Sequence, residues 1–150
     1  MLKGIDPRLN ADVLYVLRAM GHGDTIVIVD RNFPADATAR HTTHGSLLRM
    51  ENLTAVKAVQ AVLSVMPLDT FGDEPACRMA VIDDPKKIPP VQQEVQREIN
   101  TTQDKTQRMC PVDRFDFYDR ARAGYAVIQT GERRLYGCFQ LRKGIILPDE

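Results

Sequence analysis

The chain has no surplus of charge. Against 20 Lys and Arg stand 20 Asp and Glu in 150 residues, which disfavours a protein whose work is gripping phosphate backbones, so no nucleic-acid partner is expected. No apolar run approaches the ~20 residues of a membrane helix. The opening residues, MLKGIDPRLN, lack the apolar stretch of a secretory signal, so no membrane partner is expected either. Cysteine is scarce: Cys77, Cys110 and Cys138 are odd in number and form no C-x-x-C pair. That points to a reduced, cytoplasmic chain without a disulfide framework. Neither G-x-G-x-x-G nor a Walker pattern is present to cradle a phosphate, and no G-x-S-x-G nucleophile elbow is found. His41 and His44 have H-x-x-H spacing without a third ligand nearby, so no metal and no cofactor is expected. Repeats and low-complexity tracts are absent. What remains is 43% apolar and 27% charged, enough to close one core in a single domain spanning residues 1–150.

Short β-branched runs alternate with helical patterns. Leu9, Val13, Leu14, Val16, Leu17 and Met20 predict a helix over 9–20, started by Asp6-Pro7 or Asn10 and stopped by Gly21. Residues 25–29, TIVIV, have no polar alternation and predict a strand covered on both faces. Residues 35–46 read as a loop. A second helix runs from 52 to Pro67, with Leu53, Ala55, Val56, Val59, Val62 and Leu63 inward. Further strands are expected over 76–82, 125–130 and 136–141. A polar helix covers 91–100, residues 101–110 are weakly patterned, and a helix covers 114–123. The order predicts an α/β fold, with helices on both faces of the sheet.

Several residues stand where chemistry is done. His22 lies between two glycines in Met20-Gly21-His22-Gly23-Asp24, where the backbone allows close approach of a ligand and an imidazole can serve as an acid–base group. A capping or surface histidine suits the same pattern. Asp30 ends the buried strand, at the edge where α/β folds bind ligands; an Asp capping the next turn would look alike. Asp69 follows Pro67-Leu68 as a turn residue, and Met79 fills a strand as a core side chain would. Arg114 and Tyr118 stand i, i+4 on one helical face, with Phe115 and Phe117 able to bury. Tyr136 and Cys138 fall on one side of the closing strand, and both tyrosines also suit half-buried core positions with wet hydroxyls.

At these residues the sequence resembles the L-fucose mutarotase family, within the ribose pyranase/fucose mutarotase superfamily. The blocks that carry the likeness run nearly the whole chain. They are Leu2-Lys3-Gly4, Met20-Gly21-His22-Gly23-Asp24, Asp30 with Asn32-Phe33-Pro34-Ala35, and Pro67-Leu68-Asp69-Thr70. Arg114-Phe115 with Phe117-Tyr118 and Arg120-Ala121, Thr130-Gly131-Glu132, Tyr136-Gly137 and Arg142-Lys143-Gly144 complete them. The resemblance implies a three-layer α/β/α sandwich on a mixed, mostly parallel sheet. It also implies a cofactor-free aldose 1-epimerase acting on a monosaccharide, L-fucose first and ribose second. A homo-oligomer follows too; bacterial relatives form rings of ten with sites near subunit contacts. It makes the residue matching His22 the proton donor, with Asp30 orienting it or accepting a sugar hydroxyl. Asp30, Asp69, Met79, Arg114, Tyr118, Tyr136 and Cys138 line the sugar site. Two departures stand out. Asn is usual where this chain has Cys138, and a thiol is only a weak donor. The family's Arg-Ala-Asp-Gly is replaced by Thr42-Thr43-His44-Gly45. A non-catalytic sugar-binding accessory of an uptake pathway and a ribose-type pyranose/furanose isomerase remain the competing readings.

Overall fold

In the computed structural model, which describes residues 2–102 and 107–148, the run TIVIV forms β1 (Thr25–Val29) near the middle of a six-stranded sheet. Ile26 and Ile28 point into one apolar layer, Val27 and Val29 into the other. Burial on both faces is why the run carries no polar alternation.

The strands are β1, β2 (Leu48–Met50), β3 (Ala76–Met79), β4 (Cys110–Val112), β5 (Ala126–Thr130) and β6 (Phe139–Arg142), in the spatial order β2-β5-β1-β6-β3-β4. β6 runs antiparallel to both β1 and β3, and the β1–β5, β2–β5 and β3–β4 pairs are parallel. One inserted antiparallel strand in an otherwise parallel sheet is the mixed, mostly parallel arrangement expected. Helices α1 (Ala11–Ala19), α3 (Ala55–Leu63) and α4 (Pro90–Thr102) cover one face, while α2 (Ala35–Ala39) and α5 (Arg114–Ala123) cover the other. Asn10 caps α1 by accepting from the Val13 N–H, Thr54 caps α3 and Asp113 caps α5.

Four expectations are corrected. Residues 35–39 form a five-residue helix rather than a loop, too short to display a helical period. β2 and β4 were not foreseen; each has three residues, and Pro111 is tolerated in β4 because that strand is at the sheet edge. β3 stops at Met79 instead of 82, since the chain peels away through a turn with Asp83 at φ 63°. β6 begins at Phe139, not 136, because Tyr136 sits in a turn at φ 64°; Tyr136 and Cys138 are therefore not neighbours on one strand face. Of the stretch 101–110, residues 103–106 lie outside the described residues.

Candidate functional site

The carboxyl edge of the parallel strands carries a pocket of about 240 Å³ lined by Asp30, Met79, Arg114, Tyr118, Tyr136 and Cys138, together with Asn32, Phe33, Ile82 and Leu135. Its volume falls below the ~300–1,000 Å³ typical of drug-sized pockets, a scale suited to one sugar ring.

Asp30 is the pocket's fixed point. The chain leaves β1 and turns sharply, and Oδ1 accepts the Asn32 and Phe33 N–H groups at 3.0 and 3.1 Å. Oδ2 accepts the Gly137 N–H at 3.2 Å and the Cys138 thiol at 3.5 Å. The residue is 4% exposed. It both caps the turn and lines the pocket. Burial, then the facing Asp30 charge, push the Cys138 thiol well above its usual range, so it remains a donor.

Helix α5 brings Arg114 and Tyr118 to the opposite wall. Arg114 Nε donates to the Tyr118 hydroxyl at 3.0 Å, and the guanidinium lies 5.4 Å from that ring's centre. Tyr118 packs on Phe33 with ring centres 5.3 Å apart, and Phe33 packs edge-on against Phe117. Phe117 is buried, but Phe115 is 69% exposed, contrary to the expectation that both bury.

The third wall is the turn before β6. Tyr136 holds a left-handed backbone conformation that costs a non-glycine residue ~1–2 kcal/mol. Gly137 follows because a Cβ there would lie 2.8 Å from Glu132 Cγ and 3.4 Å from Asp30 Cβ. Buried Glu132 anchors the turn through the Arg134 N–H and guanidinium, and Arg134 reaches on to Glu94. Burial works against the Glu132 carboxylate, but the Arg134 bonds outweigh it and hold its pKa below the ordinary value.

His22 and Asp69 are elsewhere. They stand at the amino edge of the parallel strands, with all of β1, roughly 17 Å of chain at ~3.4 Å per residue, between them and Asp30. His22 Nε2 is 3.2 Å from Asp69 Oδ1. A carboxylate only accepts, so Nε2 carries the proton in this contact. Asp69 is buried, which disfavours its charge, yet the Phe71 N–H and His22 prevail and lower its pKa. Lys143 Nζ donates to the Leu17 and Met20 carbonyls, and Gly23 at φ 87° donates its N–H to the Lys143 carbonyl, so the His22 loop is clamped to the end of β6. Asp30 therefore does not orient His22 within one chain.

Other candidates resolve differently. His44 Nε2 contacts Ser46 Oγ at 3.1 Å and His41 is exposed. Among the described residues the grouping with metal-ligand chemistry is Glu74, Cys77 and Cys110, a trio that pattern reading passed over because cross-strand register brings the two cysteines together. Arg120 already supplies its cation, 2.7 Å from Glu74. Asn32 and Phe33 stand with Asp30 in one of the blocks that carry the resemblance; Ile82 and Leu135 carried no signal.

Residues 3–146 match the RbsD / FucU transport protein family. Human fucose mutarotase is 37% identical over 149 residues, covering 97% of this chain and 94% of that one. The crystal structure of protein Atu2016, provisionally described as sugar binding, is 54% identical with a TM-score of 0.95 over 98% of this chain and 97% of that one. The fucose mutarotase of Streptococcus pneumoniae, solved in complex with L-fucose, is 31% identical with a TM-score of 0.87 over 97% and 100% of the two chains. Matched over nearly its whole length, the chain belongs to the RbsD / FucU transport protein family.

Proposed function

We propose that the protein is a cofactor-free L-fucose mutarotase, interconverting the α and β anomers by opening and reclosing the sugar ring. The observation that carries this reading is the monosaccharide-sized pocket. It sets a fixed carboxylate, Asp30, opposite Arg114, Tyr118 and Tyr136. The names and the bound L-fucose of the relatives support the sugar. Reaction demands are modest: one positioned acid–base group supplies ~10²–10⁴-fold, about 3–5 kcal/mol of barrier. Asp30 accepts a sugar hydroxyl, and Arg114, Tyr118 and Tyr136 fix the remaining ones.

The acid is His22, supplied by a neighbouring copy. The pocket contains no imidazole, whereas His22 is half exposed at the opposite sheet edge. Apolar side chains stand exposed at both places: Phe71 beside His22, and Ile82, Leu135 and Phe115 near the pocket. Joining two different surfaces is a heterologous contact, which closes into a ring when the rotation permits. Asp69 holds Nε2–H, so the imidazolium form of His22 gives its Nδ1 proton to the ring oxygen while the anomeric hydroxyl releases its own proton to a bound water, and both transfers reverse on closure. The three free cysteines suit a reducing, cytoplasmic setting.

The test is magnetisation-transfer NMR on the anomeric protons of L-fucose, then D-ribose. Protein-dependent exchange of fucose that His22→Gln abolishes, with sugar binding retained, is expected. Binding without exchange on any aldose would make the protein a sugar-binding accessory. Pyranose–furanose exchange of ribose alone would make it a pyranase.

A further inference from the structure

Helix α4 reads in the sequence as a polar helix with one apolar stripe, Val91, Val95 and Ile99, yet Gln92 is wholly buried. Its Nε2 donates to the Met79 carbonyl at 2.7 Å and to the Tyr136 carbonyl at 3.0 Å. Its Oε1 accepts from Arg78 Nη1 at 3.0 Å. Arginine has donors only, so it forces the oxygen of the amide towards itself and both amide hydrogens towards the two carbonyls. Arg78 is itself buried, and Nη2 donates to the Pro85 carbonyl at 2.9 Å. One polar network thus ties three segments: the end of β3, the loop after it and the turn before β6. The same segments place Met79, Ile82 and Tyr136 around the pocket, and the Ile82 N–H lies 3.4 Å from the Tyr136 hydroxyl.

We propose that Gln92 is a positioning residue of the sugar pocket, its amide holding Tyr136 in the left-handed turn that presents the phenol to the sugar. The proposal rests on the sugar-binding reading of that pocket. Without the two N–H bonds, Tyr136 loses a restraint on a backbone conformation unfavourable to a side-chain-bearing residue. Its phenol then leaves the pocket for part of the time. A group that only binds a hydroxyl contributes equally before and during ring opening, so its loss raises KM and spares kcat.

The experiment compares Gln92→Met, which keeps the volume and removes the donors, with Gln92→Glu, which also keeps an acceptor for Arg78. Anomer-exchange kinetics are read beside ¹⁹F NMR of protein labelled with fluorotyrosine. There are four tyrosines, and Tyr136→Phe assigns the signal. Expected is a KM for L-fucose raised roughly tenfold with kcat within about twofold, and a Tyr136 resonance shifted or broadened while the other three stay put. In a Tyr136→Phe background the Gln92 change adds little, because the two act through one group. Folded variants with unchanged KM and an unmoved Tyr136 signal overturn the proposal. So does a lower melting temperature as the sole effect, or failure of both variants to fold, either of which makes the amide a support of the whole fold. A moved Tyr136 signal in a protein whose wild type exchanges no sugar leaves the positioning intact and refutes the mutarotase reading instead.

Discussion

The Cys138 thiol donates to Asp30 Oδ2 across 3.5 Å, the longest of the four contacts that saturate this buried carboxylate. A carboxylate has about four acceptor sites. A sugar hydroxyl reaching Asp30 therefore competes with the weakest donor present, the thiol, rather than with the backbone N–H groups. Cys138→Asn puts a stronger donor there and adds an acceptor. Sugar affinity is expected to change by a few-fold to about tenfold, corresponding to ~0.5–1.5 kcal/mol for one hydrogen bond, with the sign differing among aldoses. Titrating L-fucose, D-galactose and D-ribose into both proteins checks this; an unchanged order and magnitude of affinities would remove Cys138 from sugar choice.

The proposed sharing of His22 between copies is measurable by complementation. His22→Gln and Asp30→Asn are each expected to lose most exchange activity. Mixed assemblies refolded from equal amounts regain about a quarter of the wild-type sites, because the intact Asp30 of one variant meets the intact His22 of the other. If mixing restores nothing while assembly is normal by light scattering, the site is not shared. Phe71→Asp and Leu135→Asp are expected to weaken assembly and activity together.

Acid sensitivity follows from the Phe71 N–H and His22 contacts that outweigh the burial of Asp69. Folding lowers the Asp69 pKa below its ordinary 3.8, so in that range the unfolded chain binds more protons than the folded one. The Asp69 contribution is complete above 3.8 and is lost as pH falls through the lower folded value. Asp69→Asn should flatten the pH dependence of the melting temperature in this acidic window. A wild-type profile as flat as the variant's would show that Asp69 carries none of it.

Gly137→Ala should destabilise the protein by about 1–3 kcal/mol, the usual cost of overpacking a filled site. The added methyl would meet Glu132 Cγ at 2.8 Å, and moving Glu132 disturbs its bonds to Arg134. Urea denaturation measures the loss, and a larger fall in sugar affinity than at a remote glycine is expected because Gly137 also bonds Asp30.

Local pattern was enough for β1, α1 and α3, because each is a run whose period or unbroken apolarity reports which sides are covered. The i, i+4 pairing of Arg114 with Tyr118 was legible for the same reason: helix geometry alone brings them together. The three-residue strands β2 and β4 and the five-residue α2 were not, since segments that short show no period. The turn at Tyr136 was hidden because its left-handed backbone answers to Gln92 and Asp30, partners 44 and 107 residues away from the atoms they hold.

The alternation of helices and buried strands, and the residues with acid–base and hydrogen-bonding chemistry, were legible along the chain, since these depend on side-chain type and near-neighbour spacing. Which of those residues meet depends on the arrangement of the strands in space. The direction of β1 puts Asp30 at one edge of the sheet and His22 at the other, and insertion of antiparallel β6 folds Cys138 onto Asp30 and Lys143 onto the His22 loop. Strand order and direction arise from contacts between distant segments, which no local pattern records.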